Sequence, residues 1–157
     1  MATMILDILK NPDPQLRAVA AEVSLEEIKK LQPLLSDLKE TMIASDGVGI
    51  AAPQVGVGKR IIIVDMQGQP TAFINPMIIG RSLRKVNGEE GCLSVPGIYG
   101  IVKRHKAVRM HALNEEGQPV ELNLKDLPAI IFQHEIDHLD GVLFIDRVIR
   151  YTGTSKL

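Results

Sequence analysis

The chain has one cysteine, no tryptophan and few aromatic residues of any kind, which make up 3% of its 157 residues. One cysteine excludes an internal disulfide, so we expect the fold to depend on its core or on a metal ion, in a reducing compartment. No run approaches the roughly 18 consecutive apolar residues of a transmembrane helix. The N-terminus, MATMILDILKNPDPQ, lacks the basic start of a secretory signal, so we expect a cytoplasmic location. An organelle form with its transit segment removed would look the same.

An excess of charge of one sign is also missing, since 18 Lys and Arg residues face 19 Asp and Glu. This balance gives no nucleic-acid or membrane signature, because both partners favour a strongly basic surface. We interpret the densest basic run, residues 103–106 (KRHK), as a solvated strand face or turn, with an anion site as the alternative. Length and a 45% hydrophobic content predict one domain over residues 1–157.

An amphipathic helix is predicted over residues 25–45. Ser24 and Glu27 have the spacing of a capping box. Apolar residues then recur at steps of three or four, from Leu25 to Met42. Pro33 lies inside this segment and should bend the helix or delay its start, because proline removes a donor and crowds the preceding turn.

The middle of the chain is predicted to be mainly β. RIIIVDM, residues 60–66, reads as a buried strand because it is short and rich in β-branched residues. Residues 71–80 and 120–124 are further strand candidates, and residues 100–114 read as one strand with a bulge or bend. SDGVGIAAPQVGVGK, residues 45–59, has too much glycine to predict regular structure.

A second helix is predicted after Asp126, which can cap it, and Gly141 sits where a helix stop is expected. Pro128 falls in the first turn, where a missing donor costs little. The apolar stripe of this helix is assigned to four residues: Leu127, Ile130, Ile131 and Leu139. The sequence therefore predicts an α+β fold, mainly antiparallel strands around a central helix in the C-terminal half, with an N-terminal helix.

This second helix carries QHEIDH, residues 133–138, in which two histidines are four residues apart. On a helix His134 and His138 point the same way and can bring two imidazole nitrogens to one ion. Glu135 is about 100° round the helix from His134, close enough to reach a ligand of the metal without being one. This is the H-E-x-x-H pattern of two ligands plus a general base.

A third ligand is needed, and residues 139–157 contain no Glu or His that could supply it as in the zinc proteases with this pattern. Upstream, Cys92 in EEGCLSVP offers the chain's only thiol. A lone cysteine is more often a small buried apolar residue. His105 or His111 could add a fourth ligand, but both lie in a strand pattern, and three ligands would leave the open position of a catalytic site.

Three motifs resemble those of the peptide deformylases. They are GVGIAAPQ at residues 47–54, EGCLS at 90–94 and QHEIDH at 133–138, in the family's order and roughly its spacing. Flanking stretches such as ILKNPDPQLR and DGVLFIDR are similar too, so the resemblance covers nearly the whole chain. The tail, IRYTGTSKL, is short where some members carry a longer C-terminal helix, which puts in doubt any ribosome docking through such a helix.

The resemblance implies a hydrolase of protein biosynthesis that removes the formyl group from the N-terminal formyl-methionine of newly made proteins and releases formate. The metal ligands that it implies are Cys92, His134 and His138. They would hold one divalent ion, typically ferrous iron, with zinc, nickel or cobalt able to occupy the site. The implied partners are nascent chains in the bacterial cytoplasm and, transiently, the ribosome.

The resemblance also implies roles for residues outside the metal site. Glu135 would move the proton, while Gln54 and the backbone N–H of Leu93 would stabilise the oxyanion. From the residues themselves, we expect glycines of the two glycine-rich segments to let backbone approach an extended peptide, and apolar residues together with the face of His134 to hold the methionine side chain. The substrate-binding candidates are Val48, Gly49, Ile50, Gly91 and Ile130.

Two rival functions stay open at this point. A metallopeptidase would use the same H-E-x-x-H pattern but lacks its downstream ligand. A noncatalytic metal-binding or interaction module would not need Glu135 or Gln54 merely to hold an ion.

Overall fold

The computed structural model describes residues 2–154, so residue 1 and residues 155–157 of the predicted domain lie outside the described residues. Three α-helices are present: α1 (Leu25–Lys30), α2 (Gln32–Ala44) and α3 (Leu127–Leu139). The strands are β1 (Gly49–Ala51), β2 (Ile61–Met66), β3 (Gln69–Arg81), β4 (Lys85–Cys92), β5 (Val95–His105), β6 (Ala107–Leu113), β7 (Pro119–Lys125) and β8 (Val148–Thr154). Short 3₁₀ turns occupy Pro14–Arg17, Ala52–Val55 and Phe144–Asp146.

The strands form two sheets in which neighbouring strands run antiparallel. One sheet has five strands in the order β1-β2-β3-β6-β7, and the other has three in the order β4-β5-β8. The combination of α-helices and antiparallel sheets confirms the α+β class. No helix among the described residues is long and apolar enough to cross a membrane.

The apolar run of β2 is explained by helices on both faces of the five-stranded sheet. Ile62 and Val64 face α3 in the first core cluster, whereas Ile61 and Ile63 belong to a second cluster with α1 and α2. All four side chains are at most 1% exposed. Successive side chains point to opposite faces, so a strand buried on both sides has no polar position to alternate with.

The predicted helix over residues 25–45 is divided into α1 and α2 at Leu31. The Ser24 hydroxyl accepts a hydrogen bond from the Glu27 N–H at 3.3 Å, as the capping-box spacing predicts. Pro33 lies in the first turn of α2, where its missing N–H leaves no helical bond unmade. The proline therefore starts a second helix, and the prediction of one continuous helix is wrong.

The helix α3 covers the predicted segment but buries a different face. Its buried apolar residues are Ala129, Phe132, Ile136 and Leu139. Leu127 is 66% exposed, so of the predicted stripe only Leu139 is buried in the core. Asp126 precedes the helix but makes no capping hydrogen bond through its side chain, contrary to the prediction, while Gly141 follows the helix end with φ +74° as predicted.

Residues 100–114, predicted as one bent strand, belong to two strands in different sheets. β5 ends at His105 in the three-stranded sheet, and β6 begins at Ala107 in the five-stranded sheet. Lys106, between them, donates its backbone N–H to the Arg84 carbonyl at 3.0 Å. The chain therefore changes sheet at this residue, which the apolar pattern alone does not reveal.

Candidate active site

Three residues that could hold a metal ion converge between β4 and α3. One ligand atom from each of Cys92, His134 and His138 lies within 4.8 Å of the other two. Cys92 Sγ is 3.4 Å from His138 Nε2. Ligand atoms at about 2.1–2.3 Å from a tetrahedral ion lie about 3.4–3.8 Å from one another, so this separation suits a shared ion.

Local structure explains how the three residues meet. Cys92 is the last residue of β4, and it pairs with Val95 across the two-residue turn of Leu93 and Ser94 that leads into β5. His134 and His138 lie one turn apart on α3 and therefore share a face. The tight turn between β4 and β5 places the Cys92 thiol beside that face of α3.

The imidazole of His134 is oriented by a buried carboxylate. Its Nδ1 is 2.8 Å from Glu90 Oε1, which leaves Nε2 as the ring nitrogen that could bind an ion. Such a contact fixes which ring nitrogen carries the proton, as carboxylates do behind metal-binding histidines. Glu90 was not singled out by sequence, although it stands in the EGCLS motif.

Glu90 is one end of a buried network of ion pairs. The Arg104 guanidinium donates to both oxygens of Glu90, at 2.6 and 2.9 Å, and to Asp137 at 2.9 Å. Arg147 donates to both oxygens of Asp137, at 2.7 and 3.1 Å, and shares Oδ2 with Arg104. Burial alone would raise the pKa of Glu90, but the hydrogen bonds from His134 and Arg104 hold it below its usual value. The network therefore keeps a negative charge behind His134.

The two histidines differ in their protonation. Burial alone would lower the pKa of His134, but hydrogen bonds to Cys92 and Glu90 outweigh it and raise the pKa to about 10. Burial lowers the pKa of His138 well below its usual value, and the charges of His134 and Arg104 add to that effect. His138 therefore offers a free lone pair at neutral pH, whereas His134 must release a proton when it becomes a ligand.

Glu135 is buried beside the same group, packed against the backbone of Gly49 in β1. A Cβ on Gly49 would lie 2.6 Å from Glu135 Oε2, so only glycine leaves room for this carboxylate. Burial raises the pKa of Glu135 to about 7. In the described part of the chain, two buried side-chain polar atoms lack a hydrogen-bond partner, Glu135 Oε1 and His138 Nδ1. The Glu135 oxygen adjoins the cavity and is available to a ligand there, whereas His138 turns its other nitrogen, Nε2, toward Cys92.

Gln54 is held with its amide nitrogen toward Cys92. Its Oε1 accepts the Ala51 N–H at 2.9 Å, and its Nε2 donates to Ser94 Oγ at 3.1 Å and lies 3.7 Å from Cys92 Sγ. The carbonyl oxygen is engaged, so the side chain presents donors to the site. The fully buried Ser94 is the acceptor that fixes this orientation.

A cavity of about 430 Å³ opens beside these residues. Its wall includes Gln54, Cys92, His134 and Glu135. The glycines of both glycine-rich segments and several apolar side chains also line it: Gly47, Val48, Gly49, Gly91, Leu93, Leu127, Ile130 and Ile131. A mostly apolar pocket with a few convergent polar groups is typical of a small-ligand site.

Comparison with known proteins assigns the family. The family model for polypeptide deformylases matches residues 5–153. The chain belongs to the polypeptide deformylase family. Members of this family are enzymes that remove the formyl group from N-formylmethionine. A peptide deformylase from Alkalilimnicola ehrlichii is 47% identical over 146 residues, which cover 90% of this chain and 81% of the relative.

Solved peptide deformylases have the same fold. The enzyme from Thermotoga maritima superposes with a TM-score of 0.89 at 40% identity, covering 94% of this chain and 99% of that chain. A class I type b peptide deformylase from Acinetobacter baumannii, with Met-Ala-Ser bound, gives a TM-score of 0.90 at 38% identity. That match covers 94% of this chain and 100% of the other. The mixed fold with antiparallel sheets is therefore the peptide deformylase fold.

The structure brings together nearly all residues singled out from the sequence. The exception is Ile50, which is fully buried in the core cluster of α1 and α2 and does not line the cavity. Its neighbour Gly49 faces Glu135, and adjacent residues of a strand face opposite sides, so Ile50 points away from the site. Ile131 lines the cavity, although the sequence assigned it only to the apolar stripe of the helix. Neither His105 nor His111 belongs to the cysteine and histidine group within residues 2–154.

Four polar residues around the site were not found from the sequence: Glu90, Ser94, Arg104 and Asp137. Glu90, Ser94 and Asp137 stand inside the three motifs, so their position in the motif was an available signal. Arg104 carried no such signal, because it stands in the basic run 103–106, which was interpreted as solvated. In the structure Arg104 is only 4% exposed.

Proposed function

We propose that this chain is a single-domain, metal-dependent hydrolase that removes the formyl group from the N-terminal formyl-methionine of newly synthesised proteins and releases formate. The observation that carries the proposal is the convergence of one thiol, two imidazoles and a partnerless buried carboxylate on one cavity. The helix that bears the H-E-x-x-H pattern would stand at the centre of the catalytic unit.

Cys92, His134 and His138 would hold one divalent ion. The donor set fits, because a thiolate and two imidazoles suit ferrous iron and other first-row divalent ions, and ferrous iron is the ion that the family resemblance implies. Zinc, nickel or cobalt would fit the same ligands. When bound, the ion supplies Lewis acidity that lowers the pKa of a water and polarises a carbonyl oxygen.

Glu135 would move the proton. The water oxygen adds to the formyl carbon while Glu135 takes the water proton, and the C–N bond then breaks as Glu135 returns that proton to the leaving amine. The products are formate and a free methionine amine. A buried carboxylate with a pKa of about 7 can accept and donate a proton near neutral pH.

Gln54 and the backbone N–H of Leu93 would stabilise the negative oxygen that develops on the formyl carbon. The support for Gln54 is its fixed amide, whose nitrogen lies 3.7 Å from Cys92 Sγ. Leu93 follows Cys92 in the chain and lines the same cavity. Donors aimed at the developing charge act only in the transition state, so they raise kcat.

The methionine side chain would occupy the apolar part of the cavity, between Val48, Ile130 and Ile131, with Leu127 at its wall. The extended peptide backbone would pair with the free edges of β1 and β4, which are edge strands, because the space beside Gly49 and Gly91 is filled by Glu135 and Tyr99. The Acinetobacter baumannii neighbour with Met-Ala-Ser bound supports a peptide that starts with methionine. Nascent formylated chains are therefore the proposed partners. A bacterial cytoplasmic location and transient contact with the ribosome stay predictions.

Formate release from formyl-Met-Ala-Ser, measured with metal analysis of the same anaerobically prepared sample, tests the proposal. We expect about one divalent ion per chain and release of formate, with no cleavage of acetyl-Met-Ala-Ser. Glu135→Gln should keep the ion and lose turnover. Active protein without metal would overturn the metal role. Cleavage of acetylated or unblocked peptides at an internal bond would identify a metallopeptidase instead.

A further inference from the structure

Basic residues that are scattered along the sequence meet at one corner of the fold. Residues 81–109 contain seven Lys and Arg against two Glu, although the whole chain is balanced. Six of these seven, together with Lys125, form a group that we name the basic corner. Its members are Arg81, Arg84, Lys85, Lys103, Lys106, Arg109 and Lys125.

The corner is built by the connection between β3 and β4 lying against the connection between β5 and β6. Ser82 donates its N–H to the Ala107 carbonyl at 2.9 Å and accepts the Ala107 N–H on its hydroxyl at 3.0 Å. Lys106 donates to the Arg84 carbonyl at 3.0 Å. These bonds fix the backbone of both connections, so the cationic side chains project from a defined surface.

Few carboxylates neutralise this surface. Arg109 pairs with Glu121 at 3.2 Å, and Lys106 lies 3.9 Å from Asp126. The other five cations have no carboxylate within 4.0 Å in residues 2–154: Arg81, Arg84, Lys85, Lys103 and Lys125. Asn87 of β4 pairs with Lys103, and Glu89 lies two positions further along β4. Glu89 and Lys103 are therefore on the same face of the sheet.

Three of the cations share a shallow depression. Arg81, Arg109 and Lys125 line a cavity of about 470 Å³ together with Ser82 and Asn123, and no acidic residue lines it. Gly80 also lines it, and a Cβ there would lie 3.5 Å from the Arg109 side chain. The exposed lining is mostly apolar, so the charged ends of the three long side chains, and not the depression itself, would supply donors to phosphate oxygens.

We propose that the basic corner binds the phosphate backbone of RNA. Several cations without counterions on one rigid surface match a polymer with a charge at each nucleotide better than they match a single anion. The choice of RNA rests on the proposed function, because a nascent chain emerges from a particle whose surface is rich in RNA. The net charge of the whole chain does not reveal this local excess of positive charge. The excess appears only because the fold places the β3–β4 connection against the β5–β6 connection.

The position of the corner is compatible with catalysis. Lys85 begins β4 and Cys92 ends it, so Lys85 lies about 20 Å from that metal ligand at the strand rise of about 3.3 Å per residue. Lys106 is nearer, since it lies 3.9 Å from Asp126, which precedes Leu127 of the cavity wall. Protein bound through the Lys85 end of the corner would keep its cavity open to a peptide. Leu83 is fully exposed in the same connection and would also suit a lipid surface, so vesicles form a second arm of the test.

Anisotropy of a fluorescein-labelled 20-nucleotide oligouridine measures the binding directly. We expect a Kd of about 1–100 μM that weakens steeply with salt. Arg81→Gln, Arg84→Gln and Lys85→Gln together should weaken binding at least about tenfold and reduce the salt slope by about 2. The matched control neutralises Lys10, Lys29 and Lys30, three exposed lysines elsewhere on the chain, and should bind RNA like the unchanged protein.

Three results would overturn the proposal: no binding of oligouridine at 50 mM salt, an equal loss in the control variant, or tighter binding to phosphatidylglycerol vesicles or polyglutamate than to RNA. Formate release from formyl-Met-Ala-Ser by the same samples separates this outcome from the proposed function. RNA binding without formate release would support the RNA-binding proposal and reject the proposed deformylase activity. Formate release by both triple variants at the unchanged rate would show that both are folded.

Discussion

Gly49 and Glu135 lie so close that a single added methyl group would collide with the carboxylate. The Cβ of an alanine at position 49 would be 2.6 Å from Oε2 and 2.9 Å from the carboxyl carbon of Glu135. The glycine of the first motif and the glutamate of the third are therefore one packing unit. The sequence suggested that Gly49 makes room for substrate, and the structure adds that it makes room for the proposed base.

Gly49→Ala should displace Glu135 and lower kcat for formyl-Met-Ala-Ser by at least about tenfold, because small errors in the position of a catalytic group slow the reaction severely. The metal content should not change, since the three atoms nearest to the added Cβ all belong to Glu135, which is not one of the proposed ligands. Gly88→Ala is the matched control, because no atom lies within 4 Å of its added Cβ. Equal kcat values for the two variants would disprove the coupling of Gly49 and Glu135.

Gln54→Ala should lower kcat by about 10²–10³-fold, which is the usual effect of losing one donor to the developing oxyanion. Ser94→Ala should have a smaller effect on kcat and little on KM, because Gln54 keeps its contact with the Ala51 N–H but loses the acceptor of its amide nitrogen. Steady-state kinetics on the formyl tripeptide measure both. Gln69→Ala, at an exposed glutamine of β3, is the control. A raised KM with unchanged kcat in Gln54→Ala would mean that Gln54 binds substrate and does not stabilise the transition state.

The elements that could be predicted from the sequence are those with a strong local signal. Ile61 to Val64 predict β2 because four consecutive β-branched residues suit a strand buried on both faces. Lys106 shows the limit, since nothing in its neighbourhood indicates that β5 and β6 pair with different partners. β8 was not predicted because it is an edge strand with polar and exposed residues, and its pairing with β5 is long-range.

The residues of the candidate site also divide into those with a local sequence signal and those without one. His134 and His138 are four residues apart on one helix, so periodicity alone brings them together. Cys92 is 42 positions from His134, so no local pattern joins them. It was a candidate as the chain's only thiol, and the resemblance to a family then assigned it as the third ligand. Arg104 could not have been found by either route. Arg104 is buried because it forms ion pairs with Glu90 of β4 and Asp137 of α3. These residues become neighbours only in the tertiary structure.

Arg104→Met should destabilise the fold by about 3–5 kcal/mol, because it leaves the buried carboxylates of Glu90 and Asp137 without their shared cation. Urea unfolding of the metal-free protein measures the loss. Arg147→Met is the control, since Arg147 is about half exposed and its pair with Asp137 should contribute at most about 1 kcal/mol.

A double variant separates charge from packing at this site. Glu90→Gln combined with Arg104→Met removes one uncompensated charge, so it should recover part of the loss seen with Arg104→Met alone. If the double variant is less stable than Arg104→Met, the contribution of Arg104 is its packing and not its pairing with Glu90.

Asp146→Asn should make the free energy of unfolding less dependent on pH in the acid range. Hydrogen bonds from Arg17 lower the pKa of Asp146 below its usual value, so between the two pKa values the unfolded chain binds a proton that the folded chain does not. Stability from this group is therefore present above the unfolded pKa and lost as pH falls through the folded one. Because both side chains are about 40% exposed, we expect a difference of only about 0.2–1 kcal/mol at about pH 6, which should shrink as pH falls below the ordinary aspartate pKa of about 3.9, for example at about pH 3. Urea unfolding at both pH values measures it, with Asp65→Asn, at an exposed aspartate of β2, as the control. A difference between wild type and Asp146→Asn that persists unchanged at the lower pH would contradict the role of the ionised carboxylate.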